Sequence, residues 1–355
     1  MGVTDQPLEV REGEAIDLKR VRLFLDEALP DLAGEITIRQ FPSGFSNLTY
    51  QIKVGDKELV LRRPPVGAKI KSAHDMGREF RILTALHPVF PLCPRPLAFS
   101  EDTSIIGCPF YIMERIKGII LRKELPEDLS LTPEKARELC INLVSLQADL
   151  HGIDVKSAGL EFLGKPQGYV ERQVKGWQER YRSARTPDAP DFEGVMTWLN
   201  DKMQPDTDHP TLVHNDYKFD NVVLDPQNPT RIIGVLDWEM ATYGDPLMDL
   251  GNSLAYWIDR TDPEECQLMR QSPTHIPGAL TRRDIIDLYG EITGRSTAAF
   301  DFYLCFGIFR LAVIAQQIYQ RYYKGITKDR RFAMLIGAVQ ILERTALRLM
   351  DNSNL

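Results

Sequence analysis

Apolar side chains recur at helical spacing from early in the chain. Leu18, Val21, Leu25 and Leu29 share one face of a segment running from Ile16 to Leu32, and Pro30 marks its end. The period then shortens to two. ITIRQF, LTYQIKVG and KELVLRRP read as strands, with turns at PSGFSN and VGDK. HDMGREFRILTAL returns to helical spacing, with Met76, Phe80, Leu83 and Leu86 on one face. Pro88, Pro91, Pro94 and Pro96 break that pattern before a further strand, PFYIMERI, which leads into Lys117 and Gly118.

Beyond about Gly118 the pattern is mostly helical: TPEKARELCINLVSLQADLHGI, YVERQVKGWQERYRSAR, TRRDIIDLYGEITG and FYLCFGIFRLAVIAQQIYQRYYKG. Strand signals there are confined to LVHNDYKFDNVVLD and IIGVLDW, and residues 183–193, with Pro187 and Pro190, read as a loop. A last helix from Arg330 to Leu349 reads equally as core or as a dimer face. The pattern predicts an α+β fold: an N-terminal helical extension over 1–34, a small β-rich lobe with one main helix over 35–117, and a larger, mostly helical lobe over 118–355.

A net charge of -7 argues against a nucleic-acid partner. Cys93, Cys108, Cys140, Cys266 and Cys305 show no metal-ligand spacing and read as buried thiols in a reducing compartment. The polar, acidic start MGVTDQPLEVREGEAID is not a secretory signal, and no run approaches the roughly eighteen apolar residues of a membrane span. A cytoplasmic protein with no membrane partner is expected.

Chemistry concentrates in LVHNDYKFDNVVLD. Asp216 and Asn221 stand in the pattern H-x-D-x-x-x-x-N on a loop between short strands, and Asp237 closes the apolar run IIGVL. Two such strands side by side bring Asn221 and Asp237 to one edge. An amide and a carboxylate oxygen, completed by water and phosphate, suit Mg²⁺. A nearby carboxylate can orient a hydroxyl and accept its proton during phosphoryl transfer.

HNDYKFDN, LDWE and the continuation MATYGDPLMDLGNSLAYW together resemble the aminoglycoside phosphotransferase family of the protein-kinase-like superfamily, over roughly residues 35–345. The resemblance implies a protein-kinase-like bilobal fold that uses ATP and Mg²⁺ to phosphorylate a small-molecule hydroxyl. It makes Asp216 the catalytic base and Asn221 and Asp237 the metal ligands. Asp249 would buttress the loop from the next helix, and Asp245 would fix the turn before it. His214 reads as scaffold. Lys218 neutralises the transferred phosphate or is merely solvated, and Glu239 touches a second metal or hydrogen-bonds the loop. In the small lobe the resemblance places the phosphate loop at PSGFSNLTY, with Ser43, Gly44, Phe45, Ser46 and Asn47 as the binding residues. Arg62 of VLRRPP stands where a lysine is common, Glu79 is its ion-pair partner, and the backbone near Glu114 and Ile116 meets adenine.

The acceptor is less defined. Residues 169–185 carry Arg172, Lys175, Arg180, Arg182 and Arg185 against Glu171 and Glu179. Tyr169, Gln173, Gly176 and Trp177 share a face there, suited to an anionic substrate, with Arg172 at its margin; a core Trp177 among solvated arginines is the alternative. Trp257 is pocket wall or core. FPSGFSN, VLRRPP, RQVKGW and HNDYKFDN resemble the family branch that includes kinase-like domains fused to acyl-CoA dehydrogenases, which implies a hydroxyacyl-CoA or related metabolite as acceptor. An aminoglycoside acceptor, met by Asp259, Asp262, Glu264 and Glu265, is the alternative. A nucleotide-binding pseudokinase is a further one. The lack of a long activation segment between Asp237 and Asp249 speaks against a protein kinase.

Overall fold

The structure, a computed structural model, describes residues 6–42, 47–65 and 75–355. Its first elements are α1 (Leu18–Ala28), β1 (Ile36–Gln40), β2 (Leu48–Val54), β3 (Lys57–Arg63), α2 (Met76–Leu86), β4 (Pro96–Ser100), α3 (Thr103–Ile106) and β5 (Phe110–Glu114). There follow α4 (Pro133–His151), α5 (Tyr169–Ala184), α6 (Glu193–Asp201), β6 (Thr211–Val213), β7 (Val222–Leu224), β8 (Ile232–Val235) and β9 (Thr242–Gly244). The last are α7 (Pro246–Ala255), α8 (Glu264–Gln267), α9 (Arg282–Thr293), α10 (Phe300–Tyr323) and α11 (Leu335–Asp351). The chain divides into two compact units, one of residues 1–120, 157–160 and 221–241, the other of residues 121–156, 161–220 and 242–355.

In the first unit an antiparallel sheet runs in the order β1-β2-β3-β5-β4. Alternation along β2 sends Tyr50, Ile52 and Val54 into the core, where they meet Leu59, Leu61, Phe110 and Ile112. Val21 and Leu25 of α1 close that core, and Phe24 sits edge-on to Phe110 at 5.1 Å. Residues 18–28, read above as part of an extension, thus pack as part of the sheet's own core. Arg62 follows Leu61 and so projects from the opposite face. On that side Phe80 of α2 stacks on Phe99 at 5.6 Å and leans on Tyr111. The β7–β8 ribbon also belongs to this unit, joined to the segment after β5 through the Ile119–Leu224 bridge.

The second unit is helical apart from the β6–β9 pair. Its central helix α10 meets the test of length and composition for a membrane span, with a mean hydropathy of 1.4. The expectation that no run approaches such a span is corrected on that point. The reason lies in the core, since 78% of the window is buried inside the fold. α7 crosses α10 at backbone contact. A Cβ on Gly251 would stand 2.3 Å from Tyr303 O, and one on Gly307 would stand 2.2 Å from Gly251 O. β4, α6 and β9 were not anticipated. Their segments are short, and β9 spans only three residues.

Because neither backbone can yield without moving a whole helix, Gly307→Ala should cost on the order of 1–3 kcal/mol. Gly337→Ala, where nothing lies within 4 Å on α11, should be neutral or stabilising. Thermal denaturation of the two variants against the parent chain checks this.

Candidate active site

In the first unit, antiparallel pairing of Val222 with Val235 sets Asn221 and Leu236 at one end of the β7–β8 ribbon. There Leu236 N donates to Asn221 O at 2.7 Å. Asp237 follows directly, in a left-handed conformation (φ 66). Trp238, fully buried, anchors the turn by donating Nε1 to Val235 O and by packing edge-on against Phe90. Arg78 of α2 fixes what comes after, donating to Glu239 O at 2.9 Å and Ala241 O at 2.6 Å.

One buried guanidinium gathers three carboxylates at this turn. Arg62 Nη2 lies 2.6 Å from Asp237 Oδ1 and 2.9 Å from Glu239 Oε2, and Nε lies 3.4 Å from Glu79 Oε2. Burial opposes the charge on Arg62, but Asp237, Glu79 and Glu239 outweigh it and hold the guanidinium well above its usual value. Burial pushes the Glu79 carboxyl up against the pull of Arg62. Asn47 Nδ2 donates to Glu239 Oε2 at 2.5 Å. Ser43, Gly44, Phe45 and Ser46 lie outside the described residues. Glu114 ends β5 with its side chain exposed, and Ile116 packs over Gly234 of β8.

The second unit carries its own polar cluster, on the loop after β6. Asp249, fully buried on α7, accepts from two successive backbone amides of that loop, His214 N at 3.1 Å and Asn215 N at 2.5 Å. His151, at the end of α4, donates Nε2 to the same carboxylate at 2.9 Å, leaving Nδ1 to accept from Tyr289 OH at 2.7 Å. Burial alone would raise the Asp249 carboxyl; the His151 bond and His214 outweigh it and hold it below the usual aspartate range. Asp245 caps α7 by accepting Leu247 N at 2.7 Å, with Pro246 in the first helical turn.

Asn215 is also left-handed (φ 64). Its carbonyl accepts from Arg310 Nη2 at 2.9 Å, and its Oδ1 accepts from Asn252 Nδ2 at 3.1 Å. Asp216, the next residue, stays partly exposed and pairs with Lys218 Nζ at 2.7 Å. Burial lowers the Lys218 pKa, but Tyr256 and Asp216 outweigh it and leave the ammonium above its ordinary value. Its Nζ also lies 4.4 Å from the centre of the Tyr256 ring. His214 is fully buried, with Nδ1 accepting from Asp216 N at 3.2 Å.

The acceptor candidates divide. Trp177 and Tyr169 are buried, and Gln173 Oε1 accepts from Trp177 Nε1. Arg172 is exposed and donates to Lys165 O and Gln167 O, so it braces the turn before α5. Trp257 is buried, stacks on Phe219 at 5.4 Å and donates to Leu280 O. Arg78, His151, Tyr256 and Arg310 escaped the sequence reading. For Arg310 a signal existed: it is the one charge between Phe302 and Gln317.

An antiparallel sheet unit, a helical unit and a catalytic-type loop braced from α7 define a protein-kinase-like α+β fold. The chain matches the phosphotransferase enzyme family (APH) over residues 37–273 and belongs to it, as a phosphotransferase with an alcohol group as acceptor. It is 34% identical over 361 residues to acyl-CoA dehydrogenase family member 11 of Rattus norvegicus, covering 98% of this chain and 45% of that protein. It is 35% identical over 294 residues to family member 10 of Mus musculus, covering 82% of this chain and 27% of that one. The chain therefore spans less than half of these relatives. A solved structure from Ralstonia eutropha, assigned as an aminoglycoside phosphotransferase, superposes with a TM-score of 0.80 at 27% identity. It covers 96% of this chain and 100% of that one.

Asp249→Asn should leave the loop amides with a poorer acceptor and lower stability by about 3 kcal/mol or more near neutral pH. Since the folded pKa is depressed, the wild-type contribution is present above the unfolded aspartate value and is lost as pH falls through the lower folded one. Denaturant titrations should therefore show the gap between the two proteins closing below about pH 4.

Proposed function

We propose that the chain is an ATP- and Mg²⁺-dependent small-molecule kinase whose acceptor is a hydroxyacyl-CoA or a related hydroxylated metabolite. The observation that carries this reading is the loop carboxylate Asp216, presented on a backbone fixed by Asp249 and Arg310 and paired with Lys218. Similarity to acyl-CoA dehydrogenase family members 10 and 11 supports the acceptor class.

The donor set suits a divalent cation. Asp237 Oδ1 and Glu239 Oε2 already converge on one cationic nitrogen, and three carboxylates sharing Arg62 leave a surplus of negative charge. Among the described residues no three His, Cys, Asp or Glu side chains form a metal cage. That matches an ion that keeps water and phosphate oxygens and takes only one or two protein donors. In this reading Asn221 and Asp237 hold Mg²⁺, which when bound neutralises charge on the phosphate oxygens. Arg62, kept in place by Glu79, supplies fixed positive charge to the triphosphate. Asn47, Glu114 and Ile116, with Ser43, Gly44, Phe45 and Ser46, contact the nucleotide.

Asp216 accepts a hydrogen bond from the acceptor hydroxyl and takes its proton as the new oxygen–phosphorus bond forms and the bond from the γ-phosphorus to the bridging oxygen breaks, with ADP as the leaving group. Lys218 balances the charge that moves onto the acceptor oxygen. His214 and Asp249 keep the loop in register, so catalysis rests on alignment and charge more than on covalent chemistry. Three of the four carboxylates offered for a polycationic acceptor are engaged elsewhere, and Glu264 is exposed. Asp262 pairs with Arg282 at 2.6 Å, Glu265 with Arg344 and Arg348, and Asp259 accepts from Thr261 and from Arg282 N. This favours the metabolite over an aminoglycoside.

The test is a mass-spectrometric search for an acceptor heavier by one phosphate, with hydroxyacyl-CoA and aminoglycoside pools offered in parallel. Asp216→Asn should lower turnover by about 10²–10⁴-fold with nucleotide affinity retained. Asp237→Ala should abolish the Mg²⁺ dependence of ATP binding. Undiminished turnover by Asp216→Asn, or Mg·ATP affinity unchanged in Asp237→Ala, would sink these assignments.

A further inference from the structure

The last helix, which reads from the sequence as core or as a dimer face, turns part of its apolar stripe onto a cavity in the second unit. Leu335, Ala338 and Leu342 of α11 line it together with Ile308, Leu311 and Ala315 of α10. Spacings of three and four residues put each trio on one face of its helix. About 600 Å³ is left unfilled there, part of it open to solvent, which is the size of a small-molecule site. Leu311, Leu335 and Met269, all in the wall, stay only half-buried, so the fold does not cover them itself.

Most polar groups in the wall are engaged by the protein. Thr345 Oγ1 donates to Ile341 O at 2.8 Å, and Cys266 Sγ lies 3.5 Å from that hydroxyl. Arg282 pairs with Asp262 at 2.6 Å and donates Nε to Leu254 O, while Gln271 is exposed. Such a wall gives an anion no fixed charge to meet. It favours hydrocarbon, in proportion to the apolar area taken out of water. Tyr256 is the exception and the link. It lines this cavity and also a smaller one shared with Lys218, Phe219 and Trp257. Lys218 Nζ lies 4.4 Å from the centre of the Tyr256 ring and 2.7 Å from Asp216 Oδ1. The apolar space thus begins one aromatic ring away from the ammonium that holds Asp216.

We propose that this cavity holds the hydrocarbon tail of the hydroxyl acceptor, the part beyond the hydroxyl-bearing carbon. The proposal deepens the kinase reading and rests on it for what stands at Asp216. Seen from that carbon, a hydroxyacyl thioester has two arms. One leads to CoA, whose phosphates need water or cations; the other is an alkyl chain that gains only by leaving water. The wall has no unengaged cation for the first arm and an apolar lining for the second. Tyr256 is then the residue at which the chain leaves the reacting centre, and the depth of the cavity sets the preferred chain length.

Titration calorimetry on the full chain tests this. The probes are hydroxyacyl-CoA thioesters with the hydroxyl at one fixed position and a tail that grows by single methylenes, all below their micellar concentration. Affinity should rise about threefold to fourfold per methylene and level off once the cavity is full. Ala338→Phe fills the cavity from α11, so the affinity ratio of the longest to the shortest thioester should fall about tenfold or more. Met269→Trp narrows it from the segment after α8 and decides the matter if Ala338→Phe fails to fold. Affinity independent of tail length in the wild type, or a ratio unchanged in every variant that folds, overturns the proposal. So does a dimer in sedimentation that Leu335→Glu dissociates, with no length dependence beside it, since a second copy of the chain then covers the cavity. Phosphate transfer from Mg·ATP to the same thioesters, read by mass spectrometry, separates the two readings. Transfer without length dependence keeps the kinase and overturns the tail site. Length-dependent binding without transfer removes the kinase reading for these acceptors and leaves the apolar site.

Discussion

A single buried carboxylate organises the helical unit. Asp249 takes two consecutive backbone amides from the loop that carries Asp216, and it takes a third bond from His151. Such a charge in the interior is tolerable only because donors surround it. The donors in turn have nowhere else to go, so loop and helix fix each other. The helix is itself immobilised where Gly251 and Gly307 allow α7 and α10 to touch backbone to backbone. Larger residues at either position would push the carboxylate away from the amides it serves.

Strain at the two chemical turns follows from the same logic. Asn215 and Asp237 both have positive φ, a conformation that costs a non-glycine residue about 1–3 kcal/mol. At Asn215 the amide, carbonyl and side chain are all engaged, by Asp249, Arg310 and Asn252. At Asp237 the neighbouring Leu236 and Trp238 are pinned by the β7–β8 ribbon, and the carboxylate is drawn to Arg62. Each turn aims a carboxylate that a relaxed loop would leave to rotate freely, which is the preorganisation that phosphoryl transfer needs.

Local periodicity made much of this legible. The alternation in LTYQIKV and KELVLRR gives the inward set Tyr50, Ile52 and Leu61, and it puts Arg62 on the opposite face, where Glu79 lies. The spacing of Asn221 and Asp237 about two short apolar runs fits the ribbon that sets them at one end. What escaped depends on distant partners. Arg172 looked like an acceptor contact from its place on α5, yet a turn just before the helix claims it. Arg78 carries no signal in the local pattern of its helix, because the two carbonyls that hold it lie some 160 residues away. β9 carries no pattern of its own, because a three-residue strand exists only through its pairing with β6. Arg310 was visible as a charge in an apolar helix, but its partner carbonyl was not.

The placement of Asp216 depends on whether its loop is clamped from α7. Amide hydrogen exchange at His214 and Asn215, followed residue by residue, asks that directly. Protection equal to that of the buried helices α7 and α10, lost together with them on global unfolding, is the predicted result. Exchange of these two amides at the rate of an open surface loop, with α7 still protected, would contradict it.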